Sequence, residues 1–434
     1  MRVLKFSSPS FWPALQRFCD TTGTAADPAV RESVTAILAD VSRDGDRAVG
    51  HYVARFDGAS LTPAQFRVPV ADLAAAAKRL PTTDRDAIRE AIACVRAFND
   101  RGLPEAWRAK NPHGATIGEE FYPLTRVGLY IPRGLASTVV MTAVLARIAR
   151  VPEIAMFTPC DREGRVSDAV LAAAHLCELD EVYRIGGAPA IGAMAYGTKT
   201  IPAVVKIFGP GNAYLVEAKR QVFGHVGIDL LPGPSEVMVV ADGSANPEFI
   251  AIDLLAQAEH GSGREHVYFV TSSAKLLEQV HEILRAEIKQ LGRESPASRV
   301  IANGFITMLV PDLDAAAKVA DWVAPEHLEI EVPPKARARL LARITTAGAA
   351  MIGSWSATAL GDFTAGPSHE LPTGRAGRFS SGLRVVDFLR RTSVVEYDDP
   401  SLRRAAPVVE AFARMEKLDA HGRSVSVRLK GRKL

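Results

Sequence analysis

Alternation between short β-rich apolar runs and helical stretches constrains this chain more than any other feature. From residue 126 to about 234 the runs VGLYIP, EIAMFT, EVYRIGG and VVKIFG are each followed by a stretch of helical periodicity, over 137–149, 166–178, 190–196 and 213–222. A helix between two strands favours a right-handed crossover, so this pattern predicts βαβ units on a parallel sheet. A second series follows with EVMVVAD, HVYFVTS, FITMLVPD, HLEIEVP and AGAAMIG, spaced by helical stretches over 248–260, 274–290, 313–323 and 335–343. Two α/β domains of similar build are expected. The 434 residues agree, since at roughly 150 residues per domain they suggest two or three domains.

The flanks differ in texture. The first 125 residues read as helical and polar-faced, with Ala-rich periodic stretches over 63–80 and 83–98 and a polar connection over 100–116. Residues 361–382 are rich in Gly, Pro and Ser and read as loop, and a short helical tail ending in RLKGRKL follows. That tail cannot bury a core alone, so it packs on its own body or reaches another subunit. Its basic end reads as a solvated terminus.

Lys+Arg 52 against Asp+Glu 49, with 23% charged and 47% hydrophobic residues, is an ordinary globular balance that gives no sign of a nucleic-acid partner. No run approaches the roughly 20 apolar residues of a membrane span, and the start lacks the apolar core of a signal peptide. The chain therefore reads as cytoplasmic, without a membrane partner. Cys19, Cys94, Cys160 and Cys177 form no CxxC pair and read as incidental thiols, Cys160 being the one candidate nucleophile because it ends an apolar run.

Gln257 and His260 lie three apart in DLLAQAEHG, a spacing that puts both side chains on one face of a helix. They could enter one coordination sphere through an amide oxygen and an imidazole nitrogen. The competing reading is a plain helix C-terminus, with His260 near the dipole and Gly261 as cap. Glu326 and His327 sit between a helix and a strand behind Pro325, where an imidazole and a half-buried carboxyl can divide acid–base labour. An exposed loop pair would look the same. Asp362 and His369 in GDFTAGPSHELPTG place an acid and an imidazole in a Gly/Pro loop that has little core-packing use. The turns IFGPGNAY and IGGAPAIGA each join a strand to a helix, the layout in which backbone amides hold an anion. Two such turns in one α/β domain favour a nucleotide.

VGLYIP, IGGAPAIGA, VVKIFGPGNAYLVEAKRQV, IDLLPGPSEV, DLLAQAEHG, APEHLEI, GDFTAGPSHELPTG, FSSGLRVVDFLRR and EKLDAH occur in the order and roughly the spacing of the histidinol dehydrogenase family. From about residue 24 the chain resembles that family over nearly its whole length. The resemblance implies an α/β fold of two Rossmann-like, doubly wound domains, aldehyde-dehydrogenase-like, with small helical terminal segments. The expected division is an N-terminal segment over 1–24, a first α/β domain from 25–125 and 236–381 with zinc and catalytic residues, a second from 126–235 on the NAD side, and a C-terminal segment over 382–434.

By the same resemblance the chain is a zinc-containing, NAD-dependent enzyme that takes L-histidinol through L-histidinaldehyde to L-histidine in two hydride transfers. Zinc ligands fall on Gln257, His260, Asp362 and His421, and the acid–base pair on Glu326 and His327. Substrate contacts fall on Ser235, His327, His369 and Glu416 beside the zinc ligands, and cofactor contacts on Tyr130 and Asn212. The family is a homodimer whose C-terminal segment completes the neighbouring site. Departures lie mainly on the cofactor side, where IPRGLAST is shorter than the family loop and Pro189 stands in place of a Gln, with Arg133 as a replacement phosphate partner. Near the substrate, Ser368 and Glu370 replace an Asn and an apolar residue. These departures leave two other expectations open: another small polar primary alcohol, such as sulfopropanediol, or a zinc- and ligand-binding protein with an impaired cofactor site.

Overall fold

A computed structural model describes residues 1–20, 27–260, 263–291 and 295–430. Its strands begin with β1 (Arg2–Lys5), β2 (Trp107–Lys110) and β3 (Thr116–Pro123). Then come β4 (Arg126–Tyr130), β5 (Glu153–Phe157), β6 (Glu181–Tyr183), β7 (Lys206–Phe208) and β8 (Gly227–Ile228). A further run holds β9 (Glu236–Ala241), β10 (His266–Thr271), β11 (Phe305–Leu309), β12 (His327–Glu331) and β13 (Ala349–Ile352), with β14 (Leu389–Glu396) near the end.

Two parallel sheets carry the fold, in the orders β6-β5-β4-β7-β8 and β1-β11-β10-β9-β12-β13. The expected Rossmann-like α/β architecture is what the chain adopts. The central strands β4, β9, β10 and β12 are buried at every residue, because helices cover both faces of a parallel sheet and leave no polar side to alternate. Among the described residues no helix is long and apolar enough to cross a membrane.

The structure corrects the expected grouping of the first 125 residues. Helices Pro28–Asp44 and Asp46–Phe56 share a core with Ala155, Ile191 and Leu215 of the 126–228 sheet layer. Helices Val70–Arg79 and Thr82–Asn99 do the same with Val127, Val139 and Val170. So 28–99 pack on the second α/β unit rather than with 236–381. An amphipathic helix shows which face it buries, not which sheet receives it. Nor is the first segment separate, since β1 pairs with β11 and helix Phe11–Asp20 packs in the core over β10 and β11.

The tail is not wholly helical either. β14 pairs antiparallel with β3, register Leu389 to Pro123, and β2 completes a three-stranded sheet. β2 and the first residue of β3 also fall within what reads as a polar connection. Beyond β14, helices Asp399–Met415 and Asp419–Leu429 pack on each other.

Candidate active site

β9 and β12 are parallel neighbours, with His327 opposite Val237. Ser235, Glu236, Glu326 and His327 therefore all stand at the N-terminal edge of one sheet. Helix Pro247–Ala258 follows β9, so as the return of a βαβ unit it brings its own end to that edge. Gln257 lies in its last turn, but the helix stops at Ala258, and His260 stands just beyond it, exposed, its N–H 3.3 Å from the Gln257 carbonyl. The pair thus does not share a helical face as spacing alone suggests, and the cap expected at Gly261 lies outside the described residues.

Glu326 and His327 are not an exposed loop pair. Both are buried, and the main chain of Glu236 holds both. The Glu236 N–H donates to Glu326 Oε2 at 2.7 Å, and His327 Nδ1 lies 3.1 Å from the Glu236 carbonyl. That contact assigns the imidazole proton to Nδ1 and leaves Nε2 as a lone-pair acceptor, buried and without a partner among the described residues. Burial pushes the His327 pKa down to about 4, so the ring is neutral near pH 7. Burial pushes the Glu326 carboxyl far above its ordinary range, and Glu236, Asp362 and Glu370 add to the effect. Ser235 spans the same edge through its carbonyl, which accepts from His266 N–H at 3.0 Å.

The Gly/Pro loop supplies the facing groups. His369 Nδ1 lies 3.9 Å from Asp362 Oδ1, and its Nε2 lies 3.3 Å from Thr138 Oγ1 and 3.6 Å from Glu370 Oε1. Thr138 belongs to helix Ala136–Ile148, which follows β4, so this loop joins the two α/β units. Burial lowers the His369 pKa to about 4, helped by the charges of His327 and His260. Asp362, on helix Thr358–Phe363, has its pKa raised by burial while the nearby His260 opposes the rise. His260, His327, His369 and Asp362 thus act on one another electrostatically, with Glu326 alongside.

Zinc can be tested against these donors. Gln257 is buried, and among the described residues its amide Nε2 has no hydrogen-bond partner, so the side-chain amide is not engaged as a buried structural amide would be and its oxygen is free to ligate. Gln257, His260 and Asp362 offer an O,N,O set suited to a borderline metal. Among the described residues no three His, Cys, Asp or Glu side chains converge, because only two of those three donors are of such types. His421 and Glu416 are exposed on and beside the C-terminal helices, with no site residue among their hydrogen bonds. The chain by itself does not bring them to the site.

The cofactor candidates lie at the opposite kind of edge, past the C-terminal ends of β4 and β7. Tyr130 is buried, and its hydroxyl accepts from Gly187 N–H at 3.1 Å. Asn212 caps helix Ala213–Val222 by accepting from the Tyr214 and Leu215 N–H groups. Between them Gly209 has φ +115°, and a Cβ there would collide with the Tyr130 carbonyl. Lys219 Nζ donates to the Gly209 carbonyl at 2.9 Å and pairs with Asp229, whose Oδ2 accepts from Gly209 N–H at 2.7 Å. Sequence reasoning missed this clamp, as it missed Glu236, because nothing local marks a Lys or Glu that will be buried. Pro189 fits the first turn of helix Gly187–Tyr196, where its missing N–H costs nothing. Arg133 is already paired with Asp57 at 2.8 Å. Cys160 is buried, and burial pushes its thiol up to about 11, which rules it out as a thiolate.

Comparison with known proteins now bears on this geometry. A family profile described as histidinol dehydrogenase matches residues 21–429. The chain is 45% identical over 404 residues to the histidinol dehydrogenase of Gluconobacter oxydans, covering 92% of this chain and 93% of that one. To that of Cereibacter sphaeroides it is 44% identical over 406 residues, 93% and 92% of the two chains. The crystal structure of histidinol dehydrogenase from Elizabethkingia anophelis superposes with a TM-score of 0.93 at 32% identity, covering 99% of this chain and 98% of that one.

Proposed function

This chain belongs to the histidinol dehydrogenase family, and from that premise we propose that it oxidises L-histidinol through L-histidinaldehyde to L-histidine, consuming two NAD and one water. The observation that carries the reading is the buried Glu326–His327 pair, both members tied to the Glu236 peptide and faced by His369 and Asp362. An alcohol that loses a hydride must also lose a proton. His327 Nε2 is the base for it, since Nδ1 is committed to the Glu236 carbonyl and the ring is neutral. His327, protonated by the first oxidation, returns that proton to the aldehyde oxygen as water adds, Glu326, once ionised, takes the proton that the water loses, and His327 takes the alcohol proton of the hydrate in the second oxidation.

NAD, when bound, accepts the hydrides, and zinc, when bound, holds the polar atoms of the substrate in place. Gln257, His260 and Asp362 would hold the metal with His421, while Tyr130 and Asn212 would meet the cofactor. Ser235, His369 and Glu416 would contact the substrate.

The tail completes the site from a second copy. Phe412, Met415 and Val427 leave an apolar face open on the C-terminal helices, Met415 being 64% exposed, and such a face on a chain of this family is covered by a like subunit. The deciding experiment is a full progress curve with zinc-loaded protein, NAD and histidinol. Two NADH per histidinol are expected, and a preparation that binds zinc but yields none overturns the reading. Mixing inactive His260→Asn and His421→Asn proteins should restore about one quarter of wild-type activity if sites are shared between subunits. No recovery would place His421 in its own subunit's site.

A further inference from the structure

His327, Glu329 and Glu331 alternate on one face of β12, while Leu328 and Ile330 face the opposite core. Val237 and Val239 are their register partners on β9, and both pack with Leu254 and Ala258 of helix Pro247–Ala258. Glu329 is therefore a carboxyl 1% exposed, set between a strand and a helix that both carry site residues. Its Oε1 accepts from Thr358 N–H at 2.8 Å and from Thr358 Oγ1 at 2.6 Å. Thr358 is the first residue of the helix that carries Asp362. The other oxygen, Oε2, has no donor among the described residues, yet Asp253, one helical turn before Gln257, lies within hydrogen-bonding reach of Glu329. Two carboxyls in contact at a buried site need a proton or a cation between them. Among the described residues no group of three His, Cys, Asp or Glu side chains converges to hold a metal there, which favours the proton. Burial accordingly drives both carboxyls upward.

We propose that the Asp253–Glu329 carboxyl pair, sharing one proton, is a positioning element that sets the separation of the Gln257 helix, the His327 strand and the Asp362 helix. Glu329 touches neither substrate nor metal. It acts by fixing where the helix over Thr358–Phe363 begins, and through Asp253 where the turn before Gln257 lies. The inference rests on the reading of Gln257, His260 and Asp362 as zinc ligands.

The test is calorimetric titration of Zn²⁺ into the metal-stripped full-length protein, together with its thermal midpoint. In Glu329→Ala the folded protein should bind zinc about ten- to hundredfold more weakly, as losses behind a ligand do. Glu329→Gln keeps an acceptor for Thr358 and offers its amide to Asp253, so it should bind zinc within about threefold of wild type. A lowered midpoint with unchanged zinc affinity in Glu329→Ala, or a Gln variant as weak as the Ala one, overturns the proposal. Should Glu329→Ala fail to fold, Thr358→Val removes only the hydroxyl donor and must still weaken zinc binding, or the proposal falls. His260→Asn separates the premise: if it keeps wild-type zinc affinity, the ligand reading itself is wrong.

Discussion

The two edges that meet at this site are built on opposite plans. At the N-terminal edge of β9 and β12, burial shifts Glu236, Glu326, His327 and, from the loop, His369 and Glu370 toward their neutral forms. At the C-terminal edge of β4 and β7 the polar work is done by main-chain groups, an Asn cap and a matched buried ion pair, Lys219–Asp229. The first plan keeps proton carriers loaded and sensitive to pH. The second fixes a shape and cannot lose a partner cheaply.

If the edges divide labour in this way, His327→Gln should break chemistry and leave the other edge alone. A fall in kcat of about 10²- to 10⁴-fold is expected, the range for a general base, with the KM for NAD unchanged. Steady-state kinetics with NAD varied at saturating histidinol checks it, and a large rise in that KM would show that the edges are not separate. Glu326→Gln should spare bound zinc and slow turnover by about 10²-fold.

Lys219→Met breaks the comparison from the other side. It leaves the Asp229 carboxylate as an uncompensated buried charge and the Gly209 carbonyl without its Lys219 donor, so denaturant melts should show a loss of about 3–5 kcal/mol. Where the variant folds, the KM for NAD should rise more than kcat falls. A variant of wild-type stability would mean that the pair is relieved by water or by protonation.

How far these edges are legible in sequence follows from the same contrast. The parallel strands read clearly because burial on both faces leaves runs such as EVMVVA wholly apolar. β3 and β14, as TIGEEFYP and LRRTSVVE, are largely exposed or half-buried, so their apolar content is that of a loop and only their mutual pairing makes them strands. Glu326 and His327 could be singled out from their place between a helix and a strand. Lys219, Glu236 and Glu329 could not, since each matters through a partner on another element, at Asp229, Glu326 and Thr358, that no local pattern couples to it.

The pH response of metal-free protein sharpens the first plan. His327 and His369 drop to about 4 on folding, so between there and their ordinary 6.5 the unfolded chain binds protons that the folded chain refuses. Their share of stability is complete above 6.5 and is lost as pH falls toward 4. Glu236 and Glu370 rise from 4.5 to about 8, and the sign reverses: the folded chain keeps protons that the unfolded chain releases, and stability falls as pH rises across that window. Glu370→Gln removes one such proton. Its stability should decline less steeply than wild type over that range, by about 1.4 kcal/mol per pH unit. Identical slopes in urea melts across the window would show that Glu370 is ionised in the folded protein.

The smallest effect is expected at Arg133, and it decides how far the cofactor edge depends on side-chain charge. Arg133 is charged and stands on the shortened loop after Tyr130, where a phosphate partner would be wanted. In the structure, however, its guanidinium is 54% exposed and pairs with Asp57, whose side chain is mostly buried. Burial raises the Asp57 pKa, and the ion pair with Arg133 pulls it back, so the arginine already has a use that involves no ligand. A pair whose cation is this exposed contributes about 0–1 kcal/mol, the buried Asp57 being free to take up a proton that its raised pKa favours. Arg133→Ala should therefore lower stability by no more than that and change the KM for NAD less than about threefold, whereas a charge-assisted phosphate contact worth about 1.5–3 kcal/mol would raise it more than tenfold. The KM for NADP should move equally little. A tenfold rise with NAD would show that the exposed guanidinium turns from Asp57 to the cofactor, and that this edge relies on more than main chain and a buried pair.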